Sequence, residues 1–175
     1  AQEAHVPSFP LRELTEHFDS AQLEQRSFYR TVNLDGKTLQ APGLAYGLSP
    51  TGAATRPAPI GDGPLPLSGV RVLDFSWVIA GPTTTRHLAA MGADIIKVEA
   101  PGRGDPGRAS ELHTVLGQGK RAIVLNLKSQ EAVDIAQRLA GECDILIENF
   151  GTGVMERFGL GAKELCAANP NLLYM

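Results

Sequence analysis

The chain has 175 residues, 43% of them hydrophobic and 6% aromatic, and its 16 basic and 19 acidic side chains give a formal net charge of −3. This composition excludes a disordered tail, and the small negative charge excludes binding of nucleic acid or an anionic membrane through a summed positive field. No apolar run approaches the roughly 20 residues of a membrane-spanning helix. Cys143 and Cys166 lack the paired spacing of a metal site, so the sequence predicts a cytoplasmic protein without a metal.

Residues 1–45 indicate a small α+β unit. Three apolar residues share one face of a helix predicted over 10–18. The dipeptide Asp35-Gly36 favours the two-residue turn of a β-hairpin, because both of its positions tolerate a positive φ. The sequence therefore predicts strands over 28–34 and 37–41.

Residues 46–66 are rich in proline and glycine, which indicates an extended connector and a domain boundary. In residues 67–175, β-rich runs alternate with helical patterns. Strands are predicted over 70–75, 94–99, 121–127 and 144–149, with helices over 83–91 and 130–140. Repeated β-α-β order is typical of a parallel sheet, so the predicted fold class is α/β, a Rossmann-like sheet with flanking helices.

The last residues extend the same pattern. They predict a helical turn over 154–158, a helix over 162–168 and the start of a fifth strand over 172–175. A sheet of this size needs helices on both faces, and residues 67–175 have roughly half the mass of a doubly wound enzyme. We therefore expect this α/β domain to be truncated in the chain.

Residues 102–107 match the G-x-G-x-x-G pattern of dinucleotide-binding loops, but the match is weak. Pro106 has no N–H to offer a pyrophosphate, and residues 108–116 have poor helical periodicity. No acidic residue follows at the distance expected for a ribose ligand. Binding of NAD is therefore a minor alternative.

Two further candidate sites follow predicted strands. At 75–82 a strand runs into a Gly-Pro turn and a helix, so Trp77 either contacts a ligand or fills the core. At the other, Asn149 offers an amide, Phe150 an apolar ring and Arg157 a guanidinium for phosphate. The alternative there is a glycine-rich turn with a solvated arginine. The chain offers no catalytic constellation, because its histidines lack metal spacing and no serine lies in G-x-S-x-G.

Several segments, taken in order, resemble the first part of family III CoA-transferases. They include Ala-Gly-Pro at 80–82, Gly-Asp-Pro at 104–106, Glu-Asn-Phe at 148–150, and the longer runs 67–75, 88–99 and 120–129. The family contains formyl-CoA transferase, carnitine CoA-transferase and α-methylacyl-CoA racemase. The resemblance spans residues 66–175 and implies an α/β domain that binds CoA at the carboxyl ends of its strands.

The first 60 residues resemble the last part of a family member, including Arg-Pro-Ala-Pro at 56–59. This order, with the tail first and the head second, is explained most simply by a tandem fusion of two family units. The resemblance implies that the chain spans their junction. Two-unit members include the dimethylsulfoniopropionate lyase type.

The resemblance also implies which residues contact CoA. Many members carry Arg or Pro where Ala100 stands here, which shifts one expected adenine or phosphate contact to Arg103. The implied CoA-binding positions are Trp77, Val78, Ala80, Arg103, Leu125, Lys128, Asn149, Phe150 and Arg157.

In the family, an aspartate attacks the donor thioester to form a mixed anhydride. The resemblance places this aspartate beyond Met175, so we expect no catalytic residue in the chain and no turnover by it alone. The implied partners are an acyl-CoA and a small carboxylic acid, with no permanently bound cofactor, in an interlocked homodimer or an intramolecular pair of units. A racemase-type or lyase-type member and a non-catalytic CoA-binding or nucleotide-binding module remain the alternatives.

Overall fold

The computed structural model describes residues 2–4, 6, 8, 10–50, 63–102 and 104–175. The chain divides into two compact units, Ala1–Ser49 and Pro50–Met175. The stretch 51–62, which holds most of the predicted connector and the Arg-Pro-Ala-Pro sequence, lies outside the described residues. In the part that is described, no helix is long and apolar enough to cross a membrane.

The first unit contains the hairpin that the sequence predicts. Strand β1 (Tyr29–Leu34) pairs antiparallel with β2 (Lys37–Pro42). Asp35 and Gly36 have φ of 50° and 75°, so both turn residues are left-handed, as this type of turn requires. One face of the hairpin is polar, because Thr38 donates a hydrogen bond to Asn33 and Gln40 donates one to Thr31.

The prediction of a helix over 10–18 is wrong. Within it, only Leu14–His17 forms a short 3₁₀ turn, and a five-residue helix follows as α1 (Ala21–Gln25). Leu11, Leu14 and Phe18, the predicted apolar face, are all exposed. A short helix is marginal in water unless a packed apolar face stabilises it, which explains the difference.

The second unit is built on a five-stranded parallel sheet. Its strands are β3 (Arg71–Asp74), β4 (Asp94–Glu99), β5 (Lys120–Val124), β6 (Ile145–Ile147) and β7 (Leu173–Tyr174). The strand order is β5-β4-β3-β6-β7, and every neighbouring pair is parallel. The winding therefore reverses between β3 and β6, which makes their carboxyl ends the switch point of the sheet.

Helices connect the strands as the predicted α/β class requires. They are α2 (Ala80–Ala90), α3 (Glu111–Leu116), α4 (Gln130–Glu142), α5 (Val154–Arg157) and α6 (Ala162–Ala168). Ser129 caps α4, as expected, by accepting a hydrogen bond from the N–H of Ala132. Helix α2 begins three residues earlier than predicted, because Pro82 lies in its first turn, where proline is tolerated.

Helix α3 has no counterpart in the predicted elements. The sequence analysis found poor helical periodicity over 108–116, yet Pro106–Ala109 forms a 3₁₀ helix and α3 follows it. Leu116 is the one residue of α3 that is buried. Helix α3 has only six residues, whereas helical periodicity is read over a window of roughly 11 residues or more, so the sequence pattern could not reveal it.

The two faces of the sheet pack against different helices. On one face, Leu73, Val98 and Leu146 join the buried side of α4 and residues of α5 and α6. On the other, Val72 and Ile95 pack near α2. Adjacent residues such as Val72 and Leu73 thus point to opposite faces, and both are fully buried, as in a parallel sheet covered on both sides.

Candidate functional site

The loops after β3 and β6 are tied together at the switch point. Asn149 accepts a hydrogen bond from the N–H of Trp77 at 2.8 Å and donates one to the carbonyl of Trp77 at 2.9 Å. The rings of Trp77 and Phe150 meet edge to face, with centroids 5.5 Å apart. The amide of Asn149 therefore fixes the position of the Trp77 peptide.

A cavity of about 310 Å³ opens beside this contact. It takes residues from the ends of four strands and from α5, and most of them are apolar. The lining consists of Phe75, Trp77, Val98, Glu99, Ala100, Leu125, Asn126, Leu127, Lys128, Phe150, Val154 and Phe158. An apolar cavity with an exposed lysine at its wall suits a ligand with a flat apolar part and an anionic group.

The structure places eight of the nine sequence-predicted binding residues, and it places them in different settings. Trp77, Leu125, Lys128 and Phe150 line the cavity. Asn149 holds Trp77, Val78 continues the same loop, Ala80 begins α2, and Arg157 is exposed at the end of α5. Arg103 lies outside the described residues.

Sequence reasoning missed several lining residues. Phe75, Val98 and Phe158 belong to the apolar cluster of the core and also face the cavity. Their positions next to predicted strand ends or in a predicted helical turn carried a weak signal. Because an apolar residue at such a position is more often core than ligand contact, composition alone could not separate the two roles.

The loop between β3 and α2 is held by buried polar groups. Ser76 donates its N–H and its hydroxyl to Asp74, and Lys97 donates to the carbonyl of Ser76 at 2.6 Å. The N–H of Val78 lies 3.1 and 3.2 Å from the two carboxylate oxygens of Asp105. A Cβ on Gly81 would lie 2.1 Å from Cβ of Ser76, so α2 approaches this loop as closely as glycine allows.

Two buried ion pairs lie under this loop. Lys97 and Asp105 are 3.3 Å apart, with 5% and 1% of their side chains exposed, and Lys120 and Asp74 are 3.2 Å apart, with 2% and 0% exposed. Thr85 also donates to Asp74 at 2.6 Å. The side chain of Lys120 is thus buried against α2 and β3.

The electrostatic environment shifts two of these groups. Burial alone would raise the pKa of Asp105, but hydrogen bonds from Gly107 and Val78 together with Lys97 outweigh it and lower that pKa. Burial lowers the pKa of Lys120, and Asp74 opposes this shift in part. Both pairs bind loop or helix atoms, so their geometry is that of a rigid support.

A second, smaller cavity of about 130 Å³ lies among these charges. It is lined by Pro82, Lys97, Glu99, Asp105, Arg108, His113, Leu116, Gly117, Lys120, Arg121 and Ala122. Arg108 pairs with Glu99 at 2.6 Å, and Arg121 pairs with Asp94. Among the buried side-chain polar atoms of the described residues, none lacks a hydrogen-bond partner.

The glycine motif at 102–107 has a different structure from a dinucleotide-binding loop. Asp105 accepts the N–H of Gly107 at 2.8 Å, and Pro106–Ala109 forms only a four-residue 3₁₀ helix. The N–H groups that would face a pyrophosphate are thus partly used by the loop itself. This geometry disfavours the NAD alternative.

Metal chemistry also lacks support in the described part of the chain. No group of three or more His, Cys, Asp or Glu side chains there could hold a metal ion. Cys143 and Cys166 are free and buried, and burial raises the pKa of the Cys143 thiol to about 11. Neither cysteine has the environment of a reactive thiolate.

A parallel sheet with helices on both faces and an apolar cavity at its switch point defines an α/β fold of the class in which ligands generally bind at the carboxyl ends of the strands. Comparison of the sequence with family models then gives the family: residues 67–175 match CoA-transferase family III. The chain belongs to this family.

Curated relatives agree with this assignment. The chain is 42% identical over 116 residues to formyl-CoA:oxalate CoA-transferase of Bradyrhizobium sp. (strain ORS 278), and 41% identical over 116 residues to the protein of that name from Rhodopseudomonas palustris (strain BisB18). Each match covers 61% of this chain and 27% of the relative. The chain thus spans about a quarter of the length of the curated relatives that it matches.

Solved structures give the same fold. Rv3272 from M. tuberculosis superimposes with a TM-score of 0.59 at 42% identity, and a CAIB/BAIF family protein from Brucella suis with a TM-score of 0.57 at 34% identity. Both matches cover 63% of this chain and 32% of the solved chain. The predicted fold class and family are therefore confirmed.

Proposed function

We propose that this chain supplies part of the CoA-binding site of a CoA-transferase, which moves CoA between an acyl-CoA thioester and a carboxylic acid. The observation that carries the proposal is the apolar cavity at the switch point, with Trp77 and Phe150 on one side and Lys128 at its wall. The names of the curated relatives, formyl-CoA:oxalate CoA-transferase, support the same reaction class.

The cavity matches the chemistry of CoA, which combines a flat adenine ring with phosphate groups and a flexible thiol arm. The apolar walls, including Phe150 and Leu125, suit the adenine ring. Lys128 and Arg157 are exposed cations on the segments that follow β5 and β6, and we assign them to the phosphates. The Trp77 to Ala80 segment and Arg103 complete the proposed contacts, and Asn149 holds that segment in place.

The reaction needs a nucleophile, and we assign it to an aspartate that follows Met175 in the whole protein. Its carboxylate attacks the thioester carbonyl and expels CoA thiolate, leaving an acyl-aspartate anhydride. The CoA thiolate then attacks the aspartyl carbonyl of this anhydride, which releases the donor carboxylate and leaves an aspartyl-CoA thioester. The acceptor carboxylate attacks that thioester, which expels the CoA thiolate and forms a second anhydride. The thiolate attacks the acceptor acyl carbonyl of the second anhydride, so the new acyl-CoA forms and the aspartate is freed. CoA serves here as a substrate, with no permanently bound cofactor.

The domain organisation belongs to the same proposal. Residues 1–45 form the end of one family unit, 46–66 the connector and 67–175 the first half of the next CoA-binding domain. A tandem protein of this kind pairs its two units within one chain, whereas single-unit relatives would pair as an interlocked homodimer. The mass of the whole protein in solution, compared with the mass of its polypeptide, distinguishes the two arrangements.

Calorimetric titration of the whole protein with CoA tests the binding site. We expect saturable binding that Lys128→Ala weakens by about tenfold, because one charge-assisted phosphate contact contributes roughly 1.5 kcal/mol. Lys163→Ala is the matched control, since Lys163 is an exposed lysine on α6 away from the cavity lining. Equal affinities of both variants would contradict the assignment of Lys128, and an absence of binding would contradict the site.

A transfer assay on the whole protein separates an enzyme from a binding module. The assay follows CoA from an acyl-CoA donor to an isotopically labelled carboxylic acid. A transferase forms labelled acyl-CoA, whereas a CoA-binding module binds CoA and forms none.

A further inference from the structure

The buried ion pair of Lys97 and Asp105 forms hydrogen bonds with the loop that leads from β3 to α2. Lys97, on β4, donates a hydrogen bond to the carbonyl of Ser76 at 2.6 Å. Asp105 accepts the N–H of Val78, two residues further along the loop. Because Lys97 and Asp105 are also paired with each other, the loop is held at two points by one rigid unit.

The residue held by Asp105 has an unfavourable backbone conformation. Val78 has a φ of 67°, and in this left-handed region a β-branched side chain crowds its own backbone. Its side chain is 46% exposed, so close packing does not impose the conformation. The hydrogen bonds from the Val78 N–H to Asp105 are therefore the main contacts that oppose the strain.

Asp105 is itself fixed from three directions. Besides Lys97 and Val78, the N–H of Gly107 donates to its carboxylate at 2.8 Å. Asp105 lies outside the lining of the larger cavity, whereas Trp77, the neighbour of Val78, lies in it. The hydrogen bonds to Val78 thus link Asp105 to the cavity through the loop, and its ion pair with Lys97 is a second link, through Val98 and Glu99 of β4.

We propose that Asp105, oriented by Lys97, is a positioning residue that holds Val78 in its left-handed conformation and thereby sets Trp77 against the ligand cavity. The ligand part of this inference rests on the proposed function. The role of Asp105 toward Val78 stands on the hydrogen bonds alone and can be tested without a ligand.

A double-mutant cycle tests the proposal. Asp105→Asn removes the charge and one strong acceptor, so we expect CoA affinity to fall by about tenfold. Val78→Gly removes the strain, because glycine adopts a positive φ readily. In the Val78→Gly background we therefore expect Asp105→Asn to cost less than about twofold in affinity.

The control is a variant that lowers stability elsewhere. Leu165 is buried on α6 and makes no part of the proposed binding site, so Leu165→Ala should lower the unfolding midpoint and leave CoA affinity unchanged. An equal loss from Asp105→Asn in both backgrounds would overturn the proposal, because Asp105 would then act independently of Val78. If Asp105→Asn fails to fold, folding of the double variant supports the proposal, and failure of both overturns it.

Amide hydrogen exchange of the ligand-free chain keeps this test separate from the proposed function. Asp105→Asn should speed exchange at Val78 by at least tenfold, relative to the exchange of core amides in β3. Leu165→Ala should leave that ratio unchanged. If the chain binds no CoA, the binding proposal fails, but accelerated exchange at Val78 still supports the role of Asp105 and unchanged exchange contradicts it.

Discussion

Asn149 uses both polar ends of its amide on the backbone of one residue, Trp77. The sequence predicts Asn149 as a direct ligand contact, and the structure gives it a supporting contact across the switch point. An amide side chain carries a donor and an acceptor on separate atoms, so it can accept from an N–H and donate to a carbonyl at the same time. Its residue type could be read from the sequence, but its partner, 72 positions away, could not.

Replacement of this amide by a carboxylate separates its two hydrogen bonds. Asn149→Asp keeps an acceptor for the N–H of Trp77 but sets an oxygen against its carbonyl, so we expect a loss of about 1–2 kcal/mol in the free energy of unfolding. Asn126→Asp is the control, since Asn126 lies in the same unit as Trp77 and its side-chain oxygen accepts a hydrogen bond from the N–H of Lys128. Urea unfolding monitored by the fluorescence of Trp77 measures the free energy of unfolding of both variants. Equal losses in the two variants would contradict a specific role of the Asn149 amide in holding Trp77.

The carboxylate of Asp105 predicts a pH dependence with a definite sign. Its pKa in the folded chain is lowered by the Gly107 and Val78 N–H groups and Lys97, against the effect of burial. A carboxylate whose pKa is lowered by folding stabilises the fold at pH values above its ordinary pKa of roughly 3.9. This stabilisation is lost as the pH falls through the pKa of the folded chain.

We therefore expect Asp105→Asn to be less stable than the parent chain at pH 7 and pH 5, with a difference that shrinks below about pH 4. Urea unfolding at a series of pH values measures the difference in unfolding free energy. A difference that stays constant down to pH 3 would show that the charge of Asp105 contributes nothing.

At the scale of elements, the sequence predicted correctly those elements whose formation depends on residues that are close together in the chain. The hairpin was predicted because the dipeptide Asp35-Gly36 by itself favours a two-residue turn. The predicted helix over 10–18 failed because its formation depends on a packing surface for its apolar face. Helix α3 was missed because its six residues are too few to show helical periodicity.

The hairpin turn gives a test at this scale. Gly36 has a φ of 75°, and a Cβ placed on it would meet nothing within 4 Å, so backbone strain alone should make Gly36→Ala unfavourable by about 1 kcal/mol. Gly47→Ala is the matched control, because that position is equally open and its φ is not positive. Hydrogen exchange of the β1 and β2 amides should rise in the first variant only, and equal exchange in both would contradict the strain.

At the scale of the whole molecule, the sequence predicted the parallel sheet and the loops that form its switch point. Apolar β-rich runs and the β-α-β order were enough, since both are local patterns. The ion pairs of Lys97 with Asp105 and of Lys120 with Asp74 were not predicted. Each joins residues from different elements, and within its own segment of sequence each charged residue looks like an ordinary exposed position.

The two cavities described in the second unit therefore have different roles. The charged cavity is a support in which opposite charges are paired, whereas the apolar cavity at the switch point is open to a ligand. We propose that CoA occupies the apolar cavity.

Mapping of backbone amide chemical shifts during titration with CoA tests this claim most directly. We expect the largest changes at Trp77, Leu125 and Phe150, which lie on three different loops around the apolar cavity. Shifts confined to residues of the charged cavity, such as His113 and Gly117, or no shifts at saturating CoA, would contradict it.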